Sequence, residues 1–269
     1  MSLENAARRF PRHVPRKRFG QHFLIDEAAI GAIVAAIAPR PNDRMAEIGP
    51  GLGALTAPLA ACLAHLHVIE IDRDIVARLQ EMYPTARVTV HEGDALRFDF
   101  AALGPRLRVV GNLPYNISTP LLFHLAEHAA ALNDIHVMLQ KEVVQRMVAA
   151  PATSDYGRLS VMLQYRFEME LVLGIPPGAF RPPPKVESAV VRMVPFARLP
   201  HRARDEALLA RIVAAAFVQR RKTLRNTLKA YFKAPDFEAV GVDAGLRAQD
   251  LGVAEFVRLA DYAARSRAR

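Results

Sequence analysis

The tetrapeptide Asn112-Leu113-Pro114-Tyr115 groups residues suited to one kind of reaction, alkylation of an amine carried on an aromatic ring. The lone pair of such an amine is delocalised into the ring, so it is a poor nucleophile. An Asn side-chain oxygen and a main-chain carbonyl can each accept one of its hydrogens. Together they favour a pyramidal nitrogen whose lone pair points at the electrophile. Pro114 has no N–H, so only its carbonyl can engage a base, and its fixed φ stiffens the turn. Tyr115 offers a π-face to a base drawn from its stack. No strong general base is needed, because the proton can leave after the transfer. Taken alone, the four residues also suit a strand-ending turn with a core tyrosine.

A second group of residues describes a ligand. Glu47-Ile48-Gly49-Pro50-Gly51-Leu52-Gly53 follows an apolar run and opens a helical one. Glycines there allow a tight turn and a close backbone approach, and a helix N-terminus adds unpaired N–H groups. Glu70 ends the next apolar run, where a carboxylate can bind both hydroxyls of a ribose. Gly93-Asp94-Ala95 closes the third, where a carboxylate can accept the amino hydrogens of an adenine. The loop lacks the G-x-G-x-x-G spacing, contains Pro50, and no second mononucleotide-binding half follows. An adenosine ligand without phosphates, such as S-adenosyl-L-methionine, therefore suits the pattern better than NAD.

These residues need strand ends to hold them. Residues 44–48, 67–70, 88–91, 107–110, 135–139, 170–173 and 189–193 read as seven strands. Helical patterns at 27–38, 55–64, 73–82 and 119–130 intervene, which is the signature of βαβ units and a mostly parallel sheet. Beyond Pro200 the pattern is helical only. The expected fold is α/β, a Rossmann-like seven-stranded domain over 19–199 with a small all-α domain over 200–269. Residues 1–18 form an Arg-rich arm with +5 charge, read as a mobile basic arm in preference to a transit peptide.

The net charge of +9 lies entirely at the two ends, since residues 19–197 carry −3 and residues 198–269 carry +7. Basic ends on an ordinary middle suggest a catalytic body with handles for a polyanion. A single cysteine, Cys62, precludes an intrachain disulfide or a cysteine metal cluster and suits a reducing cytoplasm. Neither a membrane partner nor a metal is expected. Gln219 to Lys229 reads as one amphipathic helix, with Leu224, Leu228 and Tyr231 on one face. Arg220, Arg221, Lys222 and Arg225 would hold the phosphates of such a polyanion from its other faces. A merely solvated helix face is the alternative.

Several stretches together resemble the KsgA (RsmA) family of small-subunit rRNA adenine dimethyltransferases. They are 18–24 (RFGQHFL), the Glu47–Gly53 loop, 68–72 (VIEID), Gly93-Asp94-Ala95 and 111–120 (GNLPYNISTP). Residues 140–143 (QKEV), 156–161 (YGRLSV) and 180–188 (FRPPPKVES) complete the set. The resemblance implies a class I methyltransferase fold and N6,N6-dimethylation of two adjacent adenosines near the 3′ end of 16S rRNA. It implies action on a pre-30S small ribosomal subunit during ribosome biogenesis, by a monomer in the cytoplasm. It places His22, Leu24, Gly49, Gly51, Glu70, Ile71, Asp94, Ala95 and Asn112 against the cofactor. Phe180 would partner Tyr115 in clamping a flipped base. Residues 151–155 (PATSD) depart from the family's Pro-Gly turn with a basic residue, so no RNA contact is assigned to Asp155. The main rival is a 23S rRNA methyltransferase of the antibiotic-resistance type. An assembly factor whose methylation is incidental is a second, and a dinucleotide oxidoreductase a distant third.

Overall fold

The central strands of the sheet are largely apolar, as both of their faces are covered. Val109, Val110, Ile135, Val137 and Leu139 are fully buried, as expected for parallel strands flanked by helices. The computed structural model describes residues 21–267. The basic arm, with Arg18, Phe19 and Gly20, lies outside the described residues.

Nine strands form among the described residues, in two sheets. They are β1 (Phe23–Leu24), β2 (Met45–Ile48), β3 (Leu66–Glu70), β4 (Val88–Glu92) and β5 (Leu107–Asn112). There follow β6 (Leu132–Gln140), β7 (Phe167–Ile175), β8 (Phe180–Arg181) and β9 (Ser188–Pro195). The large sheet has the order β4-β3-β2-β5-β6-β9-β7. Strands β2 to β6 run parallel, and β9 is antiparallel to β6. The order turns around at β2, because β3 lies on one side of it and β5 on the other. That is the switch point where open α/β sheets bind ligands, outside the carboxyl ends of the strands.

All seven expected strands are present, mostly longer by a few residues than the apolar runs. The small sheet is a different matter. Phe23 pairs with Arg181 and Leu24 with Phe180, joining segments about 160 residues apart that show no strand periodicity.

Helices at Glu27–Ile37, Thr56–Cys62, Arg73–Met82 and Ser118–Glu127 alternate with the parallel strands. Two start at aspartates whose side chains accept backbone N–H bonds: Asp26 from Ala29 N, and Asp72 from Asp74 N.

The chain divides into two compact units. One contains the described residues up to Val144 together with Glu170–Pro195. The other contains Gln145–Met169, whose last three residues begin β7, with Phe196 and beyond. The core of the second unit is built from Tyr156, Leu209, Ile212, Val213, Phe237 and Phe256. Its expected helix over 219–229 does not form as one piece. The chain turns at 218–223, Thr223 bridges to Arg247, and only Leu224–Thr227 is helical. Leu224 and Leu228 are fully buried, and the amides of Leu224 and Arg225 bond to Leu246 O and Ala244 O. Tertiary hydrogen bonds thus replace the helical ones that periodicity suggested.

Candidate functional site

The carboxyl ends of β2 to β5 surround one cleft. Its lining brings together Gly49, Gly51, Glu70, Ile71, Asp94, Ala95 and the whole of Asn112 to Tyr115, with His22 and Leu24. Every residue expected at the cofactor is therefore there, and all belong to the first unit.

The loop after β2 is turned by residues with positive φ: Gly49 at 65°, Gly51 at 54° and Gly53 at 89°. At Gly51 space adds to the demand, because a Cβ there would come 3.1 Å from the Phe23 ring. Strand β5 makes the closest approach of all. A Cβ on Gly111 would collide with the backbone carbonyl of Ile48 on β2. This glycine keeps the two central strands together directly beneath Asn112, a role that the tetrapeptide did not announce.

Two carboxylates are sunk into the cleft. Burial pushes the Glu47 carboxyl up to about 8, against a hydrogen bond from the Thr56 hydroxyl at 2.7 Å and with help from neighbouring Glu70. Burial also raises Glu70, although the amides of Ile71 and Asp72 both donate to its Oε1 at 2.8 Å. Neither has a cationic partner among the described residues. Asp94 accepts from Leu96 N through Oδ1, at 2.9 Å, which leaves Oδ2 for a donor. Half-exposed Ile71 provides an apolar surface between the two strand ends.

Asn112 is oriented by the backbone. Its Nδ2 donates to His22 O at 2.9 Å, so its Oδ1 is the end left to accept a hydrogen. Pro114 O accepts from Ile117 N at 3.2 Å, closing the turn. Leu113 N donates to Met138 O, while Leu113 O has no donor among the described residues. The second free acceptor is thus the Leu113 carbonyl, one residue earlier than the proline on which the sequence reading laid weight. Tyr115 is fixed at its far end by a 2.6 Å hydrogen bond to Ser188.

The ring beside Tyr115 is that of His22, stacked at 5.6 Å between centroids and 26° between planes. His22 Nδ1 is in turn 2.8 Å from Pro182 O. Phe180, expected to face Tyr115, is 2% exposed, packs in the core cluster of the first unit and does not line the cleft. Sequence reasoning did not single out Gln21, Leu96 or Asn116, which also line the cleft. Gln21 and Asn116 lie within the stretches 18–24 and 111–120 that carry the resemblance, whereas Leu96 is marked only by its place next to Gly93-Asp94-Ala95.

In the second unit, Arg220 is bound to the backbone, donating to Ser154 O at 2.5 Å and Tyr156 O at 3.2 Å. Arg221, Lys222 and Arg225 are exposed. Among the described residues no group of three or more His, Cys, Asp or Glu is arranged to hold a metal ion. No described helix is long and apolar enough to cross a membrane.

A family model described as ribosomal RNA adenine dimethylase matches residues 12–265. A ribosomal RNA small subunit methyltransferase A from Thiobacillus denitrificans is 62% identical over 252 residues, 94% of this chain and 99% of that protein. One from Aromatoleum aromaticum is 63% identical over 252 residues, covering 94% and 95%. Among solved structures, a dimethyladenosine transferase from Plasmodium falciparum superposes with a TM-score of 0.73 at 25% identity, covering 88% of this chain and 96% of that one. The 23S rRNA methyltransferase ErmE gives 0.69 at 25% identity, with 89% and 98% covered. With the strand-end carboxylates and the oriented asparagine in one cleft, this chain belongs to the ribosomal RNA adenine dimethylase family.

Proposed function

We propose that the protein dimethylates N6 of two adjacent adenosines near the 3′ end of 16S rRNA, using S-adenosyl-L-methionine, during assembly of the small ribosomal subunit in the cytoplasm. The observation that carries the reading is the orientation of Asn112, whose amide nitrogen is tied to His22 O and whose oxygen is left as an acceptor within a cleft suited to an adenosine. The small-subunit substrate follows the relatives that share most of this chain at over 60% identity.

When bound, S-adenosyl-L-methionine supplies an electrophilic methyl group on a positively charged sulfur. Glu70 would hold the ribose hydroxyls and Asp94 the adenine amino group, with Ile71, Ala95 and Leu24 against its apolar faces. Gly49 and Gly51 would let the main chain approach.

The substrate amine would be held between Asn112 Oδ1 and Leu113 O. Each accepts one hydrogen, which draws the nitrogen lone pair out of conjugation and directs it along the line of transfer. The acceptors are set before substrate arrives, so little reorganisation is needed. Tyr115 presents its ring to the extruded base, and the Ser188 hydrogen bond holds that ring in place. Its neighbour in the stack is His22; Phe180 would have to leave the core to take part in the clamp. The proton lost from nitrogen passes to water, and no side chain is required as a base. Arg221, Lys222 and Arg225 would hold rRNA phosphates.

The test is transfer of labelled methyl groups to undermethylated small subunits, followed by identification of the modified nucleoside. N6,N6-dimethyladenosine in small-subunit rRNA is the expected product. Label confined to large-subunit rRNA, or to another base, would overturn the proposal.

A further inference from the structure

The end of the sheet opposite the cleft holds a second recess, at the amino ends of β2, β5 and β6. It lies wholly within the first unit, and its lining is dominated by arginine.

The acids around it are already engaged. Arg108, nearly buried, donates through Nε to both oxygens of Asp134 at 3.0 and 3.1 Å, and through Nη1 to Asp43 at 2.5 Å. Its Nη2 reaches Ile37 O at 2.6 Å. Arg192 is paired with Glu170 at 2.9 Å. Three further guanidiniums have no carboxylate. Arg44 donates to Pro105 O at 3.1 Å and Arg106 to Asn133 Oδ1 at 3.4 Å, neutral acceptors that leave the full charge on each. The Arg40 side chain has no hydrogen-bond partner among the described residues. The recess is therefore rich in donors and poor in free acceptors.

His136 supplies a separate observation. It lines the recess, is 3% exposed, and neither ring nitrogen has a hydrogen-bond partner. Its Nδ1 is 3.6 Å from Asp134 Oδ1, beyond hydrogen-bond distance. A buried imidazole left in this state carries a desolvation cost that a guest in the recess would relieve.

We infer that this recess binds a phosphate-type oxyanion between Arg40, Arg44 and Arg106, with His136 completing its hydrogen bonds. Planar guanidinium forks match phosphate oxygens, and three such side chains without carboxylates lining one recess favour a ligand with several oxygens over a single carboxylate. The same chemistry belongs to a free phosphate monoester or to a phosphodiester of an RNA strand. The inference does not rest on the methyl-transfer reading, because the two sites lie at opposite ends of the sheet.

Thermal unfolding in increasing inorganic phosphate, with chloride adjusted to constant ionic strength, tests it. The wild-type melting temperature should rise by about 2–4 °C once phosphate well exceeds its dissociation constant. In Arg40→Gln/Arg106→Gln, whose changes are exposed and leave the core intact, most of the rise should be lost. His136→Gln should weaken it too, and the exposed double variant keeps the test valid if this buried change unfolds the protein. A short RNA without terminal phosphates, titrated in parallel, separates the sources. Protection by RNA that the double variant loses assigns a phosphodiester, and protection by phosphate alone assigns a free anion. An equal rise in wild type and double variant, or no rise with either probe, overturns the inference.

Discussion

Asn112 donates its side-chain amide to the main-chain oxygen of His22 at 2.9 Å, and the His22 ring stacks on Tyr115 three residues further along the same motif. One residue thereby orients both the amine acceptor and the base-stacking ring. Asn112→Ala removes a preset acceptor, and loss of one such group costs about 10²–10³-fold in kcat. Initial rates of methyl transfer to undermethylated small subunits measure it. A fall of less than tenfold would take Asn112 out of the role assigned.

The two glycines at positions 111 and 31 should respond in opposite directions. Gly111→Ala drives a methyl group into Ile48 O between two central strands, where the backbone has no room to yield. A loss of about 3 kcal/mol or more is expected, with activity falling as Asn112 is displaced. Gly31 is in the middle of a helix with open space around its Cα, so Gly31→Ala should stabilise by about 0.5–1 kcal/mol. Urea unfolding of both variants checks the contrast, and similar midpoints would refute it.

Glu47 gives a pH signature. Its folded pKa of about 8 is above the ordinary 4.5, so between these values the folded protein holds a proton that the unfolded chain has lost. Its contribution to stability is complete below about pH 4.5 and disappears as pH rises through 8. The slope is at most about 1.4 kcal/mol per pH unit. Glu47→Gln should flatten stability between pH 5 and 8 and equal or exceed wild type at the upper end. A variant that loses stability as steeply as wild type over this range would exclude Glu47 as the source.

The basic residues of the second unit should separate into two kinds. Arg221→Gln/Lys222→Gln/Arg225→Gln should weaken binding of single-stranded rRNA fragments and make its dependence on log salt shallower, by roughly 0.7 per lost phosphate contact. Arg220→Gln should instead reduce stability by about 1–3 kcal/mol, because its guanidinium caps two backbone carbonyls. Filter binding across a salt series, paired with thermal melts, tells them apart; an unchanged salt slope in the triple variant would rule out phosphate contacts.

The segment 219–229 and the turn at Pro114 illustrate what limits a reading from local sequence. The spacing of Leu224 and Leu228 correctly marked a buried face, and both are fully buried. It could not show that Leu246 and Ala244 would take the amides of Leu224 and Arg225, so that the helix starts only at Leu224. At Pro114 the chain itself named a carbonyl, but the 3.2 Å bond from Ile117 N occupies it and leaves Leu113 O for a ligand.

The sequence by itself determined the seven main strands, the Gly-rich turn after β2, and the carboxylates and asparagine at successive strand ends. Those features depend on local signals: continuous apolar runs, glycine punctuation, and the rule that parallel strands place their carboxyl ends together. Only the tertiary structure decided which groups meet across the cleft. It brought Phe23–Leu24 to Phe180–Arg181, put His22 beside Tyr115, buried Phe180 and pressed Gly111 against Ile48. It also gathered Arg40, Arg44, Arg106 and His136 around one recess from segments with no common motif. Contacts between residues 60 to 160 positions apart are selected by packing of the whole sheet, and no short stretch of sequence contains that information.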